Sequence, residues 1–351
     1  MFIERKMKAA RLIRPGTIEL QEIPEPEIKL EHDVLLKIET AGICGSDIHY
    51  YKKGRIGDQI IDYPFTIGHE CTATVVKTGK KVRHVTTGNR VAIDPAVSCG
   101  FCDQCRIGRP HTCRQLKFLG CPGQMEGCLT EYIVMPEENC YPLPQNMPHA
   151  RGVLAEPLSI SLYAFRLMKP KPSDTVAILG SGPIGLCTTM AAKQAGINKI
   201  FMTDKIESRL QAASKAGAAW TGNPDKDDIV EAIKNVHSQE LDAVFECCGD
   251  QSALDQAVSL LKPGGHLLIM GIPEKNRISF DVHQLRRKEI KITNVRRQNG
   301  CTAEAVSFLD EAGKGVDFIL THFFELQDSG TAFNLLSDYK DGVIKAVVKF
   351  R

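Results

Sequence analysis

Long apolar stretches are missing from this sequence of 351 residues. No run approaches the roughly 20 apolar residues that a membrane-spanning helix needs, and the opening segment MFIERKMKAARL lacks the apolar core of a secretory signal peptide. Low-complexity tracts are absent, and so are internal repeats with the period of roughly 20 to 50 residues that builds solenoids. We therefore expect a cytoplasmic protein with no membrane partner.

An excess of charge of either sign is also missing. The 44 Lys and Arg residues nearly balance the 42 Asp and Glu residues, the formal net charge is +2, and the basic residues are scattered along the chain. Binding to phosphate backbones requires a concentrated basic surface, so we expect no nucleic-acid partner. The length exceeds what one hydrophobic core usually supports, which predicts two domains.

The pattern of apolar residues changes once along the chain. Up to about residue 155, short β-branched runs such as DVLLKIET, CTATVVKTG and NRVAIDP are broken by Gly, Pro and Asp, which predicts mostly β-structure. From TVAILGSGPIG onward, strand-like runs such as KIFMTD and DAVFECCG alternate with helix-like segments such as ESRLQAASKAGA. This alternation predicts βαβ units around a parallel sheet covered on both faces. The closing strand-like segment GVIKAVVKF is able to return to the first domain.

A glycine-rich turn lies between a strand-like run and a helix start in VAILGSGPIG. It fits the G-x-G-x-x-G pattern that brings a pyrophosphate close to the backbone at a helix N-terminus, and the candidate cofactor-binding residues are Gly180, Gly182, Pro183, Ile184 and Gly185. Asp204 ends the next strand, where a carboxylate binds ribose hydroxyls and repels a 2′-phosphate, which favours NAD over NADP. Arg209 and Lys205 nearby favour NADP. The alternative for Asp204 is a helix cap.

Four cysteines occupy fifteen residues in CGFCDQCRIGRPHTC. The cysteine total, 13, is odd and the expected compartment is reducing, so metal-bound thiolates are a better explanation than disulfides. The spacing suits one closed tetrahedral zinc site with four thiolate ligands: Cys99, Cys102, Cys105 and Cys113. Such a zinc has no open position for substrate, so we expect it to stabilise a loop. The alternatives are unrelated thiols or a zinc ribbon that binds a macromolecule.

A second donor set is less conspicuous. Cys44 lies in GICGSDIHYY, His69 and Glu70 lie in IGHE, and Glu156 lies in LAEPLS just before the change of pattern. Together they supply the mixed donors of a zinc that keeps a position free for substrate. Such a zinc lowers the pKa of an alcohol, and a nicotinamide then accepts hydride from its carbon.

The proton released from the alcohol needs a route to water. Ser46 and His49 lie close to Cys44 in the sequence and are the candidate relay members. A surface histidine and a loop-capping hydroxyl are the alternatives for these two residues.

Taken together, GICGSD, IGHE, the C-x2-C-x2-C-x7-C segment, GSGPIG with Asp204, and LKPGG resemble the zinc-dependent medium-chain dehydrogenase/reductase family, and within it the polyol (sorbitol and xylitol) branch. The resemblance implies an α/β fold, with a doubly wound Rossmann domain at 159–296 that binds NAD. A β-rich, GroES-like catalytic domain would comprise 1–158 and 297–351. It also implies a homo-oligomer, a tetramer or a dimer.

The resemblance also implies two zincs per chain. The catalytic zinc would be bound by Cys44, His69 and Glu70, with Glu156 as a fourth ligand or as the residue that holds the zinc-bound water. The structural zinc would be bound by the four close cysteines. The resemblance places substrate contacts at Tyr50, Phe118 and Arg296.

Two departures from the branch leave the substrate open. Mammalian sorbitol dehydrogenases lack the four-cysteine segment, and they continue with an aromatic residue where this chain has Arg297. The extra charge is compatible with an acidic or phosphorylated sugar, or Arg297 is simply a surface residue. We expect NAD-dependent oxidation of a secondary alcohol of a polyol or sugar derivative. The alternatives are a phosphorylated sugar alcohol, an amino alcohol such as threonine, and a zinc-binding scaffold without catalysis.

Overall fold

The computed structural model describes residues 5–350, which divide into two compact units. The first unit comprises Met1–Glu156 and Thr302–Arg351, and the second comprises Pro157–Cys301. The boundaries expected from the sequence, after residue 158 and before residue 297, lie within a few residues of these divisions.

Strands and helices are numbered along the chain. The strands are β1 (Lys6–Arg14), β2 (Thr17–Pro24), β3 (Asp33–Gly42), β4 (Arg55–Ile56), β5 (Gln59–Ile60), β6 (Phe65–Thr66), β7 (Glu70–Thr78), β8 (Arg90–Ile93), β9 (Ala96–Val97), β10 (Lys117–Phe118), β11 (Tyr132–Pro136), β12 (Cys140–Pro142), β13 (Thr175–Leu179), β14 (Lys199–Thr203), β15 (Trp220–Gly222), β16 (Leu241–Glu246), β17 (Leu261–Ile269), β18 (Lys291–Asn294), β19 (Leu320–Glu325) and β20 (Lys345–Lys349). The helices are α1 (Gly45–Lys53), α2 (Asp103–Arg106), α3 (His149–Gly152), α4 (Ala155–Met168), α5 (Pro183–Gln194), α6 (Glu207–Ala216), α7 (Ile229–Val236), α8 (Gln251–Leu260), α9 (Val282–Lys288), α10 (Thr302–Ala312) and α11 (Ser329–Ser337). Among these described helices, none has the length and apolarity to cross a membrane.

The first unit is organised around a seven-stranded sheet. Its strand order is β12-β8-β7-β3-β20-β19, and β11 also pairs with β3. Strand β3 is buried along most of its length, because neighbours flank it on both edges and side chains cover both faces, which explains the nearly continuous apolar run VLLKI. The closing strand β20 pairs antiparallel with β3, Val347 opposite Gly42, so the tail returns to the first unit as the sequence allowed.

The second unit is a six-stranded parallel sheet in the order β15-β14-β13-β16-β17-β18. Strand β13 is buried at every position, as a central strand covered on both faces must be. The order reverses between β13 and β16, which is the point where such sheets bind ligands beyond the carboxyl ends of the strands. The predicted fold class, a Rossmann sheet joined to a β-rich unit, is confirmed.

Candidate functional site

Cys44 lies in the short connection between β3 and α1. Its backbone N–H donates to the Asp47 carboxylate at 3.0 Å, and Asp47 is the third residue of α1. This is the capping arrangement in which a side chain of the first turn satisfies a backbone donor before the helix. The first turn of α1 therefore fixes the backbone that carries the half-buried Cys44 thiol.

His69 directly precedes β7 and meets the same carboxylate. Its Nδ1 lies 3.4 Å from Asp47 Oδ1, and both side chains are buried. Burial lowers the pKa of His69, but the Asp47 charge and hydrogen bond outweigh it and raise the pKa well above its usual value. A carboxylate on Nδ1 orients the ring and leaves Nε2 as the metal ligand. Asp47 thus connects the segments that carry Cys44 and His69.

Glu70, the first residue of β7, is held by a buried lysine from the far end of the chain. Lys345 Nζ donates to Glu70 Oε1 at 2.8 Å, to Oε2 at 2.5 Å and to the Ile43 carbonyl at 3.2 Å. Gly42 lies opposite Glu70 in the sheet, and a Cβ there would approach Glu70 Oε2 to 2.4 Å. The carboxylate therefore occupies space that only a glycine leaves open.

Donor atoms of Cys44, His69 and Glu70 all lie within 4.8 Å of one another. Thiolate, imidazole and carboxylate in one cluster are the ligand types that zinc accepts, so the residues present fit a zinc ion. The mixture differs from a closed all-thiolate site because three protein ligands leave a tetrahedral position for a further group.

Glu156 is buried in the first turn of α4, in the electrostatic neighbourhood of the same cluster. Burial raises its pKa to about 7, the charges of His69 and Lys345 lower it, and the charges of Glu70 and Asp94 raise it. It does not belong to the group of three donors within 4.8 Å. The structure thus places Glu156 beside the cluster without making it a member.

Two of the expected substrate contacts lie in the first unit, and one of them, Phe118, is beside a residue of the cluster. The Phe118 ring centroid lies 5.2 Å from that of His69. Tyr50 is buried on α1, and its hydroxyl donates to Gln59 Oε1 at 3.1 Å and lies 3.9 Å from Cys121 Sγ.

The remaining expected residues differ in placement. Ser46 and His49 are half-buried on α1, one and a half turns or less from Cys44. Arg296 is exposed in the second unit, just after β18, and Arg297 beside it adopts a left-handed backbone conformation with φ of 53°.

The four close cysteines converge, as their spacing predicts. The Sγ atoms of Cys99 and Cys105 are 3.9 Å apart, those of Cys102 and Cys105 are 3.5 Å apart, and those of Cys102 and Cys113 are 3.9 Å apart. A zinc–sulfur distance of about 2.3 Å gives tetrahedron edges of about 3.8 Å, so the group fits zinc. Backbone N–H groups of Arg114 and Cys105 lower the pKa of the Cys102 thiol to about 6, which favours the thiolate.

A third group of donors, which the sequence did not suggest, contains His32, Glu137 and Glu138. Its central carboxylate is already engaged, because Glu137 Oε2 accepts the backbone N–H groups of Arg83 and His84 and Oε1 lies 2.9 Å from His32 Nδ1. The group is explained as a loop-fixing hydrogen-bond network.

The glycine-rich turn joins β13 to α5 in the second unit. Gly180 has a φ of 103°, and a Cβ at Gly185 would approach the Gly180 carbonyl oxygen to 1.9 Å. Pro183 is the first residue of α5 and Gly182 is its N-cap, which leaves the helix N-terminus open towards a ligand. These features fit a dinucleotide, whose pyrophosphate needs close approach of the backbone.

Asp204 follows β14 beside this turn. Its Oδ2 accepts the Ser181 N–H at 2.8 Å and its Oδ1 accepts the Ile206 N–H at 2.9 Å, so it binds the turn and also the start of α6. The alternative in the sequence analysis was a helix cap; the N-cap of α6 is Ile206, and Asp204 fixes the backbone just before the helix. Arg209 Nη1 lies 4.0 Å from Asp204 Oδ2 and about as close to the Cβ position of Gly182, at 3.5 Å.

Asp47, Lys345 and Gly42 are the residues that sequence reasoning missed. Asp47 had a local signal, since it stands three residues after Cys44 in a capping pattern before a helix. Lys345 had none beyond a lysine inside the apolar run GVIKAVVKF. Its contact with Glu70 spans 275 residues, and only the sheet pairing of β20 brings the two together.

Comparison with known proteins gives matches along the whole chain. Residues 30–145 match the alcohol dehydrogenase GroES-like domain, and residues 183–311 match the zinc-binding dehydrogenase domain. The chain is 33% identical over 348 residues to sorbitol dehydrogenase from Bacillus subtilis strain 168, an alignment that covers 99% of this chain and 98% of that protein.

Solved structures match over the same length. An oxidoreductase/dehydrogenase of unknown specificity from Escherichia coli is 32% identical with a TM-score of 0.92, covering 99% of this chain and all of that one. An Escherichia coli CFT073 alcohol dehydrogenase complexed with NADH is 28% identical with a TM-score of 0.89, covering 98% of this chain and 99% of that one.

Proposed function

The chain belongs to the zinc-dependent medium-chain dehydrogenases, in the branch of the sorbitol dehydrogenases, and on that premise we propose that it oxidises a secondary alcohol of a polyol or sugar derivative to a ketone. NAD takes up the hydride, and the reaction is reversible. The first unit supplies the metal site and the second supplies the dinucleotide-binding turn.

Cys44, His69 and Glu70 are the proposed ligands of a catalytic zinc. Zinc supplies the Lewis acidity that lowers the pKa of an alcohol hydroxyl. Asp47 orients His69, and Lys345 compensates the charge of Glu70. The Glu70 carboxylate oxygens keep further lone pairs that are able to bind the metal. Glu156 is a fourth ligand or holds the water that the substrate displaces.

Ser46 and His49 are proposed to carry the released proton towards solvent along α1. Tyr50 and Phe118 are proposed to line the substrate pocket, and Arg296 is proposed as a further substrate contact. The four close cysteines bind a second, structural zinc: Cys99, Cys102, Cys105 and Cys113.

The dinucleotide site is proposed to use the glycine turn, with Asp204 and Arg209 at the adenosine ribose. Gly180, Gly182 and Gly185 give the pyrophosphate access to backbone N–H groups, and Pro183 and Ile184 open helix α5. An Asp204 carboxylate at this position favours NAD, and we expect weaker binding of NADP.

One observation carries the proposal: a thiol, an imidazole and a carboxylate converge within 4.8 Å. A scaffold without catalysis has no use for that mixed donor set. We further propose that the enzyme acts in the cytoplasm as a homo-oligomer, a tetramer or a dimer.

The experiment compares Cys44→Ser with Cys140→Ser, a buried cysteine of the same unit outside both thiol donor groups. Polyols, aldonates, sugar-alcohol phosphates and threonine are offered with NAD, and NADH absorbance is followed. We expect Cys140→Ser to match the wild type, and Cys44→Ser to lose at least about a thousandfold in turnover while NAD still binds. Full turnover in Cys44→Ser would refute the site. If the wild-type enzyme prefers a phosphate ester or threonine, that compound would replace the polyol as the proposed substrate.

A further inference from the structure

Glu246 ends strand β16 in the second unit with a fully buried side chain. Its Oε1 accepts the backbone N–H groups of Cys248 at 2.7 Å and Gly249 at 2.5 Å. Its carbonyl oxygen accepts the N–H groups of Met270 at 2.8 Å and Gly271 at 3.0 Å. One residue therefore binds the loop after β16 and the loop after β17.

The two loops approach each other so closely around Glu246 that only glycines fit between them. A Cβ at Gly271 would lie 2.7 Å from Glu246 Oε2 and 2.3 Å from the Gly249 nitrogen. Gly249 has a φ of 74°, and a Cβ there would lie 2.5 Å from the Ile272 carbonyl oxygen. The carboxylate is thus fixed in position rather than free to change rotamer.

This carboxylate lies at the edge of the sheet where a dinucleotide is expected. Strand β16 is one of the two strands at the reversal of strand order, and it begins the second half of the sheet. In such folds each half serves one nucleotide, and the first half carries the glycine turn. The loop after β16 also packs on that turn, since a Cβ at Gly180 would lie 3.1 Å from Cys248 Cβ.

The negative charge of Glu246 has no local counterion. Within residues 5–350 it takes part in no ion pair, and its Oε2 is buried with no hydrogen-bond partner. Burial and the Glu246 charge raise the pKa values of the Cys247 and Cys248 thiols, which therefore stay neutral. A buried charge without a partner is unfavourable, so a ligand that supplies the opposite charge gains from it.

We propose that Glu246 tunes the redox preference of the site by favouring the cationic nicotinamide ring of NAD⁺ over the neutral ring of NADH. This rests on the proposed function, because it assumes that the second unit binds a nicotinamide dinucleotide. Glu246 does not touch the reacting atoms. It acts as a positioning residue for the two loops and as a fixed charge beneath the second nucleotide.

The test measures dissociation constants of NAD⁺ and NADH for the zinc-loaded enzyme by titration calorimetry. Glu246→Gln keeps the shape and the Oε1 acceptor but removes the charge. We expect NAD⁺ to bind about five- to tenfold more weakly and NADH to change less than about twofold. The control Glu231→Gln removes an exposed carboxylate of the same unit and leaves both constants unchanged.

Two more variants separate charge from architecture. Gly271→Ala displaces the loops but keeps the carboxylate, so both cofactors should weaken by the same factor. Cys248→Lys adds a cation at an exposed position beside Glu246, and it should repeat the selective loss of NAD⁺ even if Glu246→Gln fails to fold. Equal losses of NAD⁺ and NADH in Glu246→Gln, or an unchanged ratio in Cys248→Lys, would overturn the inference alone. A wild-type protein that binds neither dinucleotide would overturn the proposed function as well.

Discussion

The side chain of Lys345 is 1% exposed, and its ammonium group contacts both oxygens of Glu70. Removing one partner of a buried ion pair leaves the other charge uncompensated, which typically destabilises by about 3–5 kcal/mol. We expect Lys345→Met to lower the thermal midpoint by several degrees and to weaken zinc binding, because Glu70 loses its orientation. Thermal unfolding and zinc competition with a chromophoric chelator measure the two effects.

Lys349→Met is the matched control for this substitution. Lys349 lies on the same strand, but its ammonium is exposed over the Phe323 ring at 4.2 Å. Removing such an exposed contact typically changes stability by about 1 kcal/mol or less. Equal shifts in the two variants would contradict the role that the structure gives to Lys345.

At the residue scale, the sequence predicted the candidate metal ligands but not the residues that hold those ligands in position. Cys44, His69 and Glu70 were predicted from residue type and local motif, and the structure brings their donor atoms together. Gly42 and Lys345 support them through contacts across β3, β7 and β20. Such contacts depend on strand register, which a single sequence does not encode at any fixed spacing.

At the scale of elements, the four-cysteine segment is a loop that lacks a core of its own. Its regular structure is the short helix α2, which has no buried residues, and a 3-10 turn at Pro110–Thr112, and the large apolar side chains of Phe101 and Ile107 are exposed. Such a segment depends on its metal for order. We expect Cys102→Ser to lose about one of two zincs per chain and to unfold at a lower temperature.

Elemental analysis and thermal unfolding of Cys102→Ser and Cys44→Ser distinguish the two sites. Cys44→Ser should lose turnover and keep nearly all of its thermal stability, whereas Cys102→Ser should retain turnover per folded molecule below its lowered midpoint. Loss of turnover without loss of stability in Cys102→Ser would contradict a purely structural site.

Hydrophobic periodicity predicted the order of strands and helices, but it did not predict the residues at which they begin and end. The alternation after residue 175 predicted the parallel sheet correctly, because central strands must be apolar on both faces. The sequence pattern of LLKPGG is typical of the end of a helix. In the structure β17 already begins at Leu261, which pairs with Leu241 of β16. That pairing depends on a neighbouring strand, which local propensity does not register.

At the scale of the whole molecule, the three-donor cluster and the lysine that supports it come from both segments of the discontinuous first unit. Cys44 and Glu70 come from the N-terminal segment, and Lys345 comes from the C-terminal strand β20. The second unit is inserted between them in sequence. The support of Glu70 is therefore complete only after β20 has joined the sheet, although every predicted ligand precedes the second unit in the sequence.

In each unit the fold lowers the pKa of one histidine and keeps its ring neutral: half-buried His149 in the first unit and buried His266 in the second. In the first unit, burial and then the Arg90 charge lower the pKa of His149 to about 4. Arg90 Nε donates to its Nε2 at 3.0 Å, so the ring must be unprotonated at that atom. In the second unit, burial and then the Lys291 charge lower the pKa of His266 to about 4, and its Nε2 lies 2.9 Å from Thr293 Oγ1.

The low pKa values of both histidines predict a loss of stability in acid. An unfolded histidine binds a proton below about pH 6.5, whereas these two resist it down to about pH 4, so the unfolded state binds more protons between those values. The contribution of the two histidines to the free energy of unfolding is constant above about pH 6.5. It falls as the pH is lowered through this window, by less than about 1.4 kcal/mol per pH unit for each histidine. We expect the thermal midpoint of the double variant His149→Gln, His266→Gln to fall by less than that of the wild type when the pH is lowered from about 7.5 to 5. Equal losses would assign the acid sensitivity to other groups, such as the zinc ligands.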